Sequence, residues 1–307
     1  MKKIIIFIIL LIFIPFLIAI LYKNNYKEIE LEYINTIYIR VKQQKTNQII
    51  KIPLEEYIVG VLAGEMPINF DMEALKAQAV ASRSYALKRI EYNKDKDYDV
   101  VDSIMNQVYL NEEHLKNAWG SKYIKNINKL RQVVNETIDE YLEYDNQVVD
   151  ALFFSTSNGY TENSDNIFGF KSNYLVSVES PWDEEVSPAF KTTKTMSLKN
   201  FYEKLDLPYD KNLNIEIIKR SPTNRILLIT INNKKFKGTD IYNKLSLRST
   251  DFNLELHGEN IKIITKGYGH GVGMSQYGAL GMAKAGYTYK EILKHYYQKT
   301  NIKKLGI

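Results

Sequence analysis

Residues 54–92 read LEEYIVGVLAGEMPINFDMEALKAQAVASRSYALKRIEY, and their pattern decides the fold class. Pro53 suits a helix start, where a missing N–H leaves nothing unpaired. Leu54, Tyr57, Ile58, Val61 and Leu62 follow at helical spacing as one apolar stripe. Gly64 and Pro67 end this helix near Glu65–Met66, because a proline disfavours helical geometry in the residue before it. Asp71 is placed to cap a second helix from Met72 to Tyr92. Ala74, Ala77, Ala79, Ala81 and Ala86 keep that helix slim, so another backbone can pack closely.

Working outward, the flanks are hairpins. Ile34–Lys42 alternates as a strand, Gln43–Asn47 turns, and Gln48–Ile52 returns. Residues 93–111 are polar and irregular, and a helix is expected over Lys125–Ile138. Glu140–Tyr144 and Gln147–Phe154, joined by Asp145-Asn146, read as a second hairpin. Leu198–Lys204 is a short helix, and strands are expected at 215–219, 225–232, 235–237, 252–256 and 261–266. Thr239 caps a helix to Leu245, and Thr288 with Glu291 forms a capping box for a last helix, Tyr289–Gln298. Helices and hairpins mix without βαβ alternation, which predicts an α+β fold.

The N-terminus is different in kind. Lys2 and Lys3 precede an unbroken apolar run, Ile4–Leu21, of 18 residues. At about 1.5 Å per residue it spans roughly 27 Å, close to a bilayer core. Pro15 is tolerable in a membrane helix. No small-x-small cleavage site follows, and the run exceeds the roughly 7–15 apolar residues of a cleaved signal. The expectation is an uncleaved signal anchor over 1–23, N-terminus cytoplasmic, with 24–33 as a tether and the rest outside.

The 307 residues are 45 % hydrophobic and 25 % charged, a balance that folds and excludes low-complexity classes. The absence of cysteine excludes disulfides, thiolate metal sites and cysteine nucleophiles. The net charge of +5 is spread over mixed-sign segments, so it suits an anionic polymer but is no nucleic-acid footprint.

Glu65 sits where its helix ends, facing the negative end of the dipole among Leu62, Ala63 and Met66. Both effects disfavour the carboxylate and raise its pKa, as a glycosidic general acid requires. The residues alone leave a solvated helix-end glutamate equally open. The second helix carries a polar face of Gln78, Ser82, Tyr85 and Arg89, with Arg83 about 80–100° away. The loop STSNGYTEN, Ser155–Asn163, brings Ser155, Ser157 and Glu162 together, either for a sugar chain or for a self-bonded turn.

The stretch GYGHGVGMSQYGALGMAKAG, Gly267–Gly286, lets backbone approach something closely at Gly267, Gly269, Gly271 and Gly273. It is neither a dinucleotide fingerprint, lacking a βαβ unit, nor a Walker A loop, lacking GK[ST]. His270 has three readings: substrate contact, support of Glu65, or a satisfied turn. With histidines only at 114, 257, 270 and 295 and no HExxH, no metal site is expected.

Four motifs in order, LEEYIVGVLAGEMP, EALKAQAVASRSYAL, STSNGYTENSDNIFG with YLVSVESPWD, and GYGHGVGMSQYGALGMAKAGYTYKEILKHYY, closely resemble the stage II sporulation protein D family from about Ile34 to Tyr297. The resemblance implies a peptidoglycan lytic transglycosylase. Such an enzyme cuts the MurNAc-β-1,4-GlcNAc bond without water and leaves 1,6-anhydroMurNAc ends. It further implies peptide-stripped glycan as substrate, stage II sporulation proteins M and P as partners in engulfment, and a single-pass cell-membrane location with the C-terminal part outside. The family's catalytic glutamate falls on Glu65. Arg83, Tyr85, Ser155, Ser157, Glu162, His270, Ser275, Gln276 and Tyr277 would line the cleft. The catalytic part is expected at 34–139 and 261–307, a β-rich part at 140–260, with the cleft between.

No second carboxylate pairs with Glu65 in sequence, though Glu162, Asp165 and Asp71 are available in space. The zinc-binding Cys-Asp-x-x-His-Cys of some relatives is replaced by Val101-Asp102-Ser103-Ile104-Met105-Asn106, so no cofactor is expected. Relatives with the same domain also include non-catalytic wall-binding proteins that enhance an amidase, the alternative reading for this chain.

Overall fold

The first hairpin pairs β1 (Tyr38–Lys42) antiparallel with β2 (Ile49–Pro53), Tyr38 opposite Pro53 and Lys42 opposite Ile49. This computed structural model describes residues 11, 13–14, 27–32, 36–103 and 105–306. The strand expected from Ile34 begins at Tyr38, and residues 33–35 lie outside the described residues. The expected membrane anchor lies outside them too, apart from Leu11, Phe13 and Ile14. Among the described residues no helix is long and apolar enough to cross a membrane. A third strand, β3 (Val100–Val101), runs parallel to β1 out of the stretch expected to be irregular.

Helix α1 (Leu54–Glu65) follows Pro53, and α2 (Met72–Tyr92) is capped by Asp71, whose Oδ1 accepts from the Glu73 amide at 2.9 Å. The alanine-rich α2 is the central post. Its Ala74, Ala77, Ala79, Ala81 and Ala86 are fully buried, and α1 packs on it. An unexpected helix, α3 (Glu112–Trp119), takes its cap from Asn111, and α4 (Tyr123–Glu136) starts two residues earlier than expected.

The expected hairpin forms between β4 (Glu140–Tyr144) and β5 (Gln147–Val148), over Asp145 and Asn146 with φ of +54° and +58°. Such left-handed pairs match strand twist. The strand does not continue to Phe154. A separate strand, β6 (Phe153–Phe154), pairs parallel with β13 (Met274–Ser275), 121 residues later in the chain, and carries the polar loop to the glycine-rich segment. Helices α9 (Gln276–Lys284) and α10 (Tyr289–Tyr296) then pack on α2, with the Thr288–Glu291 capping box formed as expected, and β14 (Asn301–Lys304) joins β4.

Two apolar cores result. The first runs through α1, α2, α4, α9 and α10 and includes Leu142, Val149, Ala151 and Leu175. The second holds Phe201, Ile229, Phe252 and Ile263, with α7 (Leu198–Lys204) and α8 (Gly238–Lys244) contributing to it. Its sheets are β11 (Asp251–His257), β12 (Asn260–Lys266) and β7 (Lys191–Ser197) in that order, and β10 (Lys234–Lys237), β9 (Ile226–Ile231) and β8 (Ile215–Arg220). The β-rich part therefore starts near β7 rather than at residue 140, because β4 buries Leu142 against the helices. The α+β class holds.

Candidate active site

Glu65 is the last residue of α1 and is partly buried. Its Oε1 accepts the Val108 amide at 2.6 Å. Burial raises its pKa above the ordinary carboxylate value, while the Val108 N–H and the Gln276 side chain pull it back in part. Gln276 opens α9 and is 7 % exposed, and its buried Nε2 completes no hydrogen bond of good geometry among the described residues. One carboxyl thus stands in a desolvated corner between the Val108 N–H and the Gln276 side chain.

The three carboxylates considered as partners are engaged elsewhere or placed on other elements. Asp71 caps α2. Asp165 lies in α5 (Ser164–Phe168). Glu162 is fully buried and accepts from Asn163 N and Asn166 Nδ2, both at 2.8 Å, and from Thr223 Oγ1.

Several residues expected to line the cleft hold the frame instead. Arg83 is fully buried. Its Nε and Nη2 donate to Glu55 at 2.8 and 2.6 Å, and its Nη1 to the Glu140 carbonyl at 2.9 Å. Glu162 bridges the two cores rather than facing solvent, and Thr223 holds it from the second core's side. Ser157 and Ser275 are fully buried. The Ser157 amide donates to Asp183 Oδ1 at 2.8 Å, its Oγ donates to the Ser180 carbonyl at 3.0 Å, and Ser275 Oγ donates to Asp183 at 2.5 Å. Asp183 gathers this lattice from α6 (Asp183–Val186), and burial raises its pKa against those hydrogen bonds. Nothing in its spacing marked it, although it ends the quoted SPWD run.

Of the other expected residues, Tyr85 neighbours Glu65, while Tyr277 and Ser155 are joined at the start of α9. Tyr85 is 6 % exposed, takes the Asn106 Nδ2 hydrogen at 2.9 Å on its phenol oxygen, and lies near enough to feel the Glu65 charge. Tyr277 follows Gln276. Its amide bonds the Ser155 carbonyl at 3.0 Å, and its ring meets Phe70 edge-on at 5.0 Å. Ser155 Oγ touches Thr156 Oγ1 at 3.3 Å.

Of the three readings of His270, the turn contact is present in the structure. Its Nδ1 accepts the Val272 amide at 3.1 Å, and its ring lies 5.7 Å from Phe154 and 5.4 Å from Phe168. Burial and the nearby Arg225 charge push its pKa down to about 4, so it is neutral near pH 7. Arg225 is fully buried, and its guanidinium lies against Gly271, where a Cβ would sit 2.4 Å from Nη2. Gly271 also has φ +87°, so two independent constraints require glycine there. At Arg225 and Glu162 the junction between the two cores is packed, not open. The described partners of Glu65 all belong to the helical part.

The stretch compared with a zinc element does not fit a thiolate metal site. It offers one carboxylate, Asp102, which accepts the Gln44 amide at 2.6 Å, and it has neither sulfur of cysteine nor imidazole.

The fold and site define an α+β protein built around one acid-poised glutamate at a helix end. Comparison with known proteins narrows this class. Residues 42–144 match the family model described as Stage II sporulation protein. The chain is 43 % identical over 271 residues to stage II sporulation protein D of Bacillus amyloliquefaciens, covering 87 % of this chain and 78 % of that protein. It is also 43 % identical over 271 residues to the Bacillus subtilis protein of that name, covering 87 % and 79 %. The chain belongs to the stage II sporulation protein D family. It is more distantly similar, at 26 % over 297 residues, to the amidase enhancer of Bacillus subtilis, covering 79 % of this chain and 40 % of that protein.

Proposed function

We propose that this protein is a membrane-anchored lytic transglycosylase of peptidoglycan glycan strands, with Glu65 as its acid and base. The observation that carries the reading is the partly buried Glu65 carboxyl with its raised pKa and a single backbone donor. Protonated, Glu65 donates to the glycosidic oxygen as the bond to the MurNAc anomeric carbon breaks. The carboxylate left behind accepts the proton of the same sugar's C6 hydroxyl, whose oxygen closes on the anomeric carbon as the 1,6-anhydro ring. No water enters, and no second carboxylate is needed, unlike hydrolysis by paired carboxylates. The Gln276 side chain beside Glu65 favours the carboxylate left after proton donation. No step runs through a metal.

Family membership supports a role in sporulation. By resemblance, the substrate is peptide-stripped glycan, the partners are stage II sporulation proteins M and P, and residues 4–21 hold the chain at the membrane with its C-terminal part outside. The similarity to an amidase enhancer favours a second reading, a non-catalytic glycan binder that stimulates an amidase. Incubating the full chain and Glu65→Gln with intact and peptide-stripped glycan, followed by mass spectrometry, separates them. Anhydro ends from the parent alone support the transglycosylase. Reducing ends mean hydrolysis, and amidase stimulation unchanged by Glu65→Gln supports the second reading.

A further inference from the structure

The segment after β3 lies along α1 in a groove made by two glycines one turn apart. A Cβ on Gly60 would fall 2.3 Å from the Tyr109 ring and 2.7 Å from the Leu110 carbonyl, and one on Gly64 would fall 2.4 Å from the Val108 carbonyl. Residues 108–110 therefore sit directly on the helix backbone. The Leu110 amide bonds the Gly60 carbonyl at 3.2 Å, and Tyr109 stacks on Tyr57 at 5.4 Å.

Two side chains set the register of this segment from below. Asn106 Oδ1 accepts the Val101 amide at 2.9 Å, while its Nδ2 donates to the Tyr85 phenol at 2.9 Å. Gln107 is fully buried, and its Oε1 accepts the Tyr57 hydroxyl at 3.1 Å. Tyr57 belongs to α1 and Tyr85 to α2, so the segment is tied to both helices. The next residue is Val108, whose amide meets Glu65 Oε1 at 2.6 Å.

We propose that Asn106 and Gln107 are positioning residues that clamp this segment in the Gly60–Gly64 groove and so aim the Val108 N–H at Glu65. The clamp rests on Glu65 being the acid of the proposed reaction. Its physical effect is to stabilise the carboxylate that remains after proton donation, in a corner where burial would otherwise hold the carboxyl protonated. It also fixes the carboxyl plane toward the bond to be cut. A register slip of one residue turns the Val108 amide away and removes that donor from Glu65.

The test is a titration of the Glu65 side-chain carbon in the full chain carrying carbon-13 glutamate, assigned by difference from Glu65→Gln. It is read in Asn106→Ala, Gln107→Leu and Tyr85→Phe, with thermal unfolding confirming that each is folded. Loss of the aimed donor raises the Glu65 pKa by about one unit, the scale of one hydrogen bond to a charged group. The alkaline fall of kcat/KM moves up by the same amount while kcat drops. A Glu65 titration unchanged in every variant that folds would overturn the clamp. Glycan cleavage by Glu65→Gln would overturn the acid reading instead, and the titration would still report whether the clamp exists. Since Asn106→Ala breaks one tie and Gln107→Leu the other, loss of folding in one leaves the other decisive.

Discussion

Arg83 of α2 and Glu55 of α1 form a buried bidentate ion pair, with Nε to Oε1 at 2.8 Å and Nη2 to Oε2 at 2.6 Å. The pair locks the helix that ends in Glu65 against the central helix, so Arg83 acts on the site only through the frame. Arg83→Ala leaves the Glu55 charge buried without its counter-ion, a cost of about 3–5 kcal/mol. Melting of this variant is expected on the order of 10 °C below the parent. Replacing both residues together, Glu55→Gln with Arg83→Met, recovers much of that loss. An Arg83→Ala melting point equal to the parent's would refute the structural role.

Glu65→Gln keeps the side chain's size and its acceptor for the Val108 amide but removes the proton. Cleavage of glycan is expected to fall by about 100-fold or more. Sedimentation with insoluble glycan should be unchanged. Cleavage at the parental rate would mean the acid lies elsewhere.

The raised pKa of Glu65 has a stability consequence. The folded chain holds this proton to higher pH than the unfolded chain does, so folding loses stability as pH rises from the unfolded value of about 4.3 through the folded one. Glu65→Gln is therefore expected to melt above the parent at neutral pH and level with it near pH 4. Equal melting curves at both pH values would show that Glu65 is not desolvated. In the proposed reaction the same proton is the one donated, so kcat/KM is expected to decline as pH rises through the raised value.

His270 works in the opposite sense. Its folded pKa of about 4 lies below the unfolded value near 6.5, so the stability present above pH 6.5 is lost as pH falls toward 4. Arg225 repels the imidazolium, and the Val272 amide already occupies Nδ1. In His270→Gln this slope should vanish, which melting curves between pH 4 and 7 would reveal. A slope unchanged by the substitution would assign the acid sensitivity to other groups.

Gly271→Ala places a methyl on the Arg225 guanidinium at a φ of +87°. Together these should cost about 1–3 kcal/mol or more, visible in urea unfolding. Gly159, also at positive φ but with open space around its Cβ position, is the control and should lose less.

Local chemistry was enough for the elements around the site. Pro53, Asp71 and the alanine spacing define α1 and α2, and Thr288 with Glu291 defines the start of α10, because caps and periodicity act within one or two turns. The position of Glu65 at a helix end among apolar neighbours likewise announced its raised pKa before any contact was known.

The fates of the polar motif residues were not local. Arg83 differs from an exposed arginine because Glu55, 28 residues earlier, and the Glu140 carbonyl, 57 residues later, meet it in the core. Ser157 and Ser275 became frame residues because β6 and β13 pair across the chain and bring Asp183 between them. The helix termini and the α+β class were thus written in short-range sequence, where hydrogen bonds close over three or four residues. Which polar side chains hold the frame and which stay exposed was decided by tertiary packing, because a buried polar group must find its partner wherever in the chain that partner lies.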